Sequence, residues 1–167
     1  MPGDDDPRDA VVALIVAYAE RLDAGDLDGA AELFEHGTFR SARGGEPLVG
    51  RNAVRRQYEP VLLYEGGTPR TKHVLGNVEV TVDARAGTAS SHCTFTVLQQ
   101  APTQQLQAVL AGRYHDRFEQ GADGWRFVER VVHPDLLGDL SRHMGSRQVG
   151  SREPVSREAG SREPGRR

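Results

Sequence analysis

The sequence predicts an α+β domain, with three helices near the N-terminus packed on one side of a curved antiparallel sheet. Three observations lead there. Up to about residue 64, apolar residues recur at the three-to-four spacing of a helix face. From Lys72 onward the pattern alternates, as a half-buried strand does, through four successive runs. The turns between those runs are too short to hold a helix, so neighbouring runs should pair antiparallel as a meander. Helices first and strands afterwards is the segregated order of an α+β fold.

The first helix opens at Asp6-Pro7-Arg8-Asp9. Asp6 can cap it, a proline at the first helical position loses no hydrogen bond, and Asp9 suits the positive end of the helix dipole. Val11, Leu14, Ile15, Tyr18 and Leu22 form its apolar stripe, and Gly25 ends it. Asp26 caps a shorter second helix that buries Leu27, Ala30, Ala31 and Phe34. An extended stretch at Thr38 to Arg40 and a loop around Gly44 and Gly45 follow. A third helix is expected from Asn52 to about Tyr64, with Val54, Tyr58, Val61 and Leu62 inward and a bend at Pro60. The strands are then expected at 72–82, 88–98, 107–119 and 125–132. Turn residues separate them at 83–87, 101–103 and 121–124.

Charge and composition narrow the range of functions. Net charge is -3. Residues 146–167 carry six Arg and three Glu, so this tail is +3 and leaves -6 on the body. A mildly acidic body gives no reason to expect nucleic acid as a partner. No apolar run is long enough to span a membrane, and the acidic start MPGDDDPRD lacks the positive charge of a signal peptide. The single cysteine, Cys93, reads as a buried core thiol. A cytoplasmic location is expected. The tail is a degenerate GSRE repeat with almost nothing apolar to bury, and disorder is expected there.

Two residues stand out chemically: Asp23 at the end of the first helix and His73 at the start of the first long strand. A carboxylate that orients a histidine makes a general acid/base. Spacing alone cannot bring them together, and Asp26 competes for the carboxylate role, although its place at a helix start already gives it capping work. Tyr18 and Tyr58 on buried helix faces, His92 on the second long strand and Tyr114 on the third are candidate substrate contacts. On the strand of His73, alternation puts Leu75, Asn77 and Glu79 on its face and Val74, Val78, Val80 and Val82 on the other. The six histidines show no HExxH or close ligand spacing, and neither a phosphate loop nor a nucleophile elbow is present, so no metal or cofactor is expected.

Three segments give the chain a family likeness. YAERLDAGDLDGAAELF resembles the first-helix signature of the SnoaL-like branch of the NTF2-like superfamily. TKHVLGNVEV resembles its histidine-bearing strand, and GRYHDRFEQGADGWRFVERVV its last hairpin. The likeness implies a cone-shaped fold enclosing an apolar pocket, over residues 9–143, flanked by a flexible 1–8 and the 144–167 tail. In the scytalone dehydratase and dehydrochlorinase members, an aspartate ending the first helix holds a histidine on the first long strand, and Asp23 and His73 match those positions. Leu22 stands where scytalone dehydratase has a tyrosine, and Leu98 where it has a second histidine, so its substrate does not carry over. The resemblance implies a cofactor-independent lyase or isomerase acting by dehydration, elimination, isomerisation or cyclisation on a small apolar or aromatic molecule, in a homodimer formed through the exposed sheet face. The alternative is a non-catalytic ligand-binding or assembly module on the same fold.

Overall fold

A computed structural model describes residues 6–145. The first helix, α1 (Pro7–Ala24), starts on Asp6, whose side chain accepts from the Arg8 N–H, and ends on Gly25 at φ 80°. Only glycine fits that corner, because a Cβ there would stand 2.0 Å from the Gly67 carbonyl oxygen. The second, α2 (Leu27–Glu32), is capped by Asp26, which accepts from the Gly29 N–H at 2.8 Å. The two helices bury Val11, Ile15, Tyr18, Ala30 and Ala31, and Phe34 follows in the turn after α2, all in the core. Asp6 stands just outside the helix as its N-cap and Pro7 is its first residue, as the sequence suggested. Met144 also bridges to Val61. The GSRE repeat lies outside the described residues.

Strand β1 (Thr38–Ser41) and the two-residue β2 (Leu48–Val49) precede α3 (Gly50–Gln57). The third helix is shorter than expected: it stops at Gln57, with Tyr58 as its cap, and residues 58–60 form a turn. Proline disfavours helix in the residue before it and lacks an N–H, so Pro60 ends the helix where a bend was expected. Val54 and Tyr58 are buried as expected.

Four long strands complete the fold: β3 (Thr71–Asp83), β4 (Thr88–Gln99), β5 (Gln107–Gly121) and β6 (Gly124–Leu137). They form one curved, unclosed six-stranded sheet in the order β2-β1-β6-β5-β4-β3. The meander is antiparallel, but β1 lies parallel to β6, with Thr38 opposite Glu129, so the sheet is mixed rather than wholly antiparallel. Strand β6 runs five residues beyond the expected end at Val132.

A bulge between Gly76 and Glu79 changes which residues of β3 face inward. Asn77 takes φ 48°, an uncommon left-handed conformation that asparagine tolerates better than most residues. Past the bulge Val78, Val80 and Val82 pack against the core while Asn77 and Glu79 are exposed, which reverses the faces expected from simple alternation. The core lies between the helices and the concave face of the sheet. No helix among the described residues is long and apolar enough to cross a membrane.

Candidate functional site

Asp23 sits in the last turn of α1, just before the Gly25 corner, and β3 begins beside it. Thr71 and His73, two residues apart on that strand, both turn toward the helix end. The Thr71 hydroxyl donates to Asp23 Oδ1 at 2.8 Å, and the His73 backbone N–H donates to Oδ2 at 2.8 Å. His73 Nδ1 lies 2.6 Å from Oδ1. The two side chains are 9% and 8% exposed, so water scarcely competes for these bonds.

Burial on its own pushes the Asp23 carboxyl upward and is the largest single influence on it. The hydrogen bond and charge of His73, its backbone N–H and the Thr71 hydroxyl together outweigh burial, and the carboxyl titrates below its ordinary value. An ionised carboxylate can only accept, so Nδ1 carries the proton in this bond. The lone pair of neutral His73 is therefore on Nε2. Asp26, occupied as the α2 cap, is not part of this pair.

His73 borders a cavity of about 270 Å³ between the helices and the sheet. Its walls are largely apolar, from Leu22 and Leu27 to Phe95, Val97, Leu110 and Val132. Tyr18, Tyr58 and Tyr114 all reach it. The Tyr58 hydroxyl lies 3.2 Å from that of Tyr18, and Tyr114 stacks on Phe95 with ring centroids 4.2 Å apart. Burial raises the pKa of each of the three phenols, so they stay protonated as hydrogen-bond donors. Behind them, Arg130 is fully buried in a two-bond pair with Asp116, at 2.8 and 2.6 Å. Its guanidinium lies 4.3 Å from the Tyr18 ring centre and 4.0 Å from that of Tyr114.

His92 does not belong to the site. On β4 the inward residues are Ala89, Ser91, Cys93, Phe95 and Val97, and His92 alternates with them onto the exposed outer face. There it meets His115, which in turn meets His133, at centroid distances of 4.7 and 4.4 Å. Asn77, displaced by the bulge, is also exposed. Cys93 is buried in the core as expected, and burial pushes its thiol up to about 11.

The sequence reading did not single out His143 as a pocket residue. The chain beyond β6 returns to the cavity, bringing Leu140, His143 and Met144 to its lining. The signal was modest: Leu136, Leu137, Leu140 and Met144 keep the chain apolar beyond Val132, before the polar tail begins.

Comparison with known proteins agrees with this geometry. The family model for the SnoaL-like domain matches residues 6–131. An NTF2-like protein with a cystatin-like fold from Novosphingobium aromaticivorans superposes with a TM-score of 0.63 at 24% identity, over 84% of this chain and 97% of that one. ActVI-ORFA from Streptomyces coelicolor gives 0.64 at 21% identity, over 76% and 96%. A Streptomyces avermitilis protein of the NTF2-like family, with a provisional assignment as a dehydratase, gives 0.61 at 20% identity, over 80% and 99%. A search of curated proteins found no match.

Proposed function

The chain belongs to the SnoaL-like family of the NTF2-like superfamily, and on that premise we propose that it is a cofactor-independent lyase or isomerase acting on a small, largely apolar or aromatic carbonyl compound. The observation that carries this reading is the buried Asp23–His73 pair, 2.6 Å apart, at the wall of a cavity. A provisional dehydratase assignment on a relative of the same fold supports the reaction class.

In this reading His73 Nε2 takes a proton from the carbon next to the substrate carbonyl, and Asp23 stabilises the imidazolium that forms. For a β-hydroxy carbonyl substrate, the C–H electron pair becomes the new C=C bond and the C–O bond breaks. The proton held on His73 goes to the departing hydroxyl, which leaves as water, so one base serves both halves of the step. Returning the proton to a different carbon instead gives an isomerisation. The apolar walls keep the imidazole and the developing enolate out of bulk water.

The experiment is proton–deuterium exchange in D2O, followed by NMR, on a panel of β-hydroxy ketones and hydroxyaryl ketones. Wild type is expected to exchange the proton next to the carbonyl and, with the right substrate, to release water. His73→Ala should lose roughly 10²–10⁴-fold of that rate. Asp23→Asn should lose part of it, because an amide does not stabilise the imidazolium as a carboxylate does. Tight binding of panel members with no exchange in wild type would leave the family's ligand-binding alternative in place.

A further inference from the structure

His143 is held over the cavity by the chain around it. The His143 backbone carbonyl accepts from Leu62 N–H at 3.0 Å, and Gly145 N–H donates to the Pro60 carbonyl at 2.7 Å. The Arg142 carbonyl accepts from both the Gln99 amide and the Tyr64 hydroxyl. The Gln99 side chain, itself 1% exposed, also donates to the Pro69 carbonyl. Backbone and buried side chains thus fix this segment on both sides of His143.

The ring is left with an unanswered group. His143 Nδ1 is buried and has no hydrogen-bond partner, whereas folded proteins pair nearly all their buried polar atoms. It also borders the same cavity as His73. Burial, and next the charge of His73, lower the pKa of His143, which favours its neutral imidazole. In a neutral ring each nitrogen is either a donor or an acceptor. A hydroxyl can answer both.

We propose that His143 is a substrate-contacting residue whose Nδ1 hydrogen-bonds an oxygen of the molecule that presents its C–H to His73. This rests on the reading of the cavity as a lyase or isomerase site and narrows it. The substrate is a compact aromatic or alicyclic compound carrying a hydroxyl or carbonyl oxygen, with that oxygen under the C-terminal segment and its acidic carbon against β3. His143 and His73 divide the work: one fixes an oxygen, the other moves a proton.

The test compares two probes on the full-length chain by calorimetric titration, 1-hydroxy-2-acetonaphthone and the oxygen-free 2-ethylnaphthalene. His143→Leu is expected to weaken the hydroxy ketone about tenfold, the loss of one hydrogen bond, and to change the hydrocarbon by less than about twofold. His143→Asn, which regains polar atoms, should recover most of the difference. In wild type labelled with 15N-histidine, the His143 Nδ1 resonance should move when the hydroxy ketone is added and stay put with the hydrocarbon, a readout independent of any variant's folding. Equal losses for both probes would make His143 a packing residue of the cavity wall and overturn the proposal. So would an unmoved Nδ1 resonance, or a wild type that binds neither probe. Exchange at the acetyl methyl group is read in the same samples. If it survives in His73→Asn while the His143 discrimination holds, the dyad mechanism fails and the oxygen contact stands.

Discussion

At the level of single residues, the two oxygens of Asp23 serve three donors, the Thr71 hydroxyl, the His73 backbone N–H and the His73 ring. The carboxylate therefore pins the start of β3 to the end of α1 and fixes the tautomer of the base in one arrangement. Stability should follow pH accordingly. The folded carboxyl of Asp23 titrates below its ordinary 3.8, so its contribution is intact above that value and is lost as pH falls through the folded value. His143 is lowered from its ordinary 6.5 by burial first and by His73 second, so the unfolded chain binds its proton more tightly. Acid therefore favours unfolding at that site too, beginning as pH drops below about 6.5. His115 on the outer face is lowered by burial and by the neighbouring His133 and His92, and acts in the same direction. Thermal unfolding should give a nearly level Tm from about pH 8 to about pH 6.5, a fall below that as His143 and His115 take up protons, and a further fall below 3.8 as Asp23 does. In His143→Leu the loss between about pH 6.5 and about pH 5 should be smaller; an unchanged slope there would remove His143 from this account.

Among the elements, β3 shows where a sequence is legible and where it is not. Its existence, length and histidine could be read from alternation, and the Asp26 cap and Gly25 corner from helix-end chemistry. The bulge was missed because strict alternation was carried across Gly76-Asn77. A physical clue was present: Val78, Val80 and Val82 form an apolar row that burial favours, on the opposite parity to His73. Only an inserted residue lets both rows face inward. The parallel pairing of β1 with β6 could not be read either, since it joins segments some ninety positions apart and has no local signature. Tyr18, Tyr58 and Tyr114 reached the cavity because their periodicity was intact, whereas His92 was placed by chemistry against its own parity. If Asn77 pins the bulge, Asn77→Gly should leave stability within about 0.5 kcal/mol, since glycine accepts positive φ freely. A β-branched side chain resists that conformation, and Asn77→Val should lose roughly 1–3 kcal/mol in chemical denaturation. Equal effects of the two substitutions would mean that the backbone conformation there is not what matters.

At the scale of the whole molecule, the helix layer and the sheet are tied together behind the cavity by Arg130 and Asp116. Both side chains are fully buried. Asp116 on β5 accepts two bonds from Arg130 on β6 and a third from Ser91 on β4 at 3.3 Å, so one carboxylate links three strands. The Arg130 guanidinium then lies against the Tyr18 ring, which belongs to α1, and against Tyr114 and Phe127 of the sheet. Desolvation opposes the buried charge, but Asp116 outweighs it and holds the Arg130 pKa above its ordinary value. The attraction inside such a pair is large, yet so is the cost of taking both charges out of water. Removing one partner should therefore be far worse than removing both. Arg130→Met, which strands the Asp116 carboxylate, is expected to lose about 3–5 kcal/mol in denaturant unfolding. The double variant Arg130→Met/Asp116→Leu should regain much of that loss, because no unpaired charge remains. It should nonetheless bind an aromatic probe more weakly than wild type, because Tyr18 and Tyr114 have lost the planar cation that backs them. A double variant with restored stability and unchanged probe affinity would show that the pair supports the fold alone and that the cavity wall keeps its shape without it.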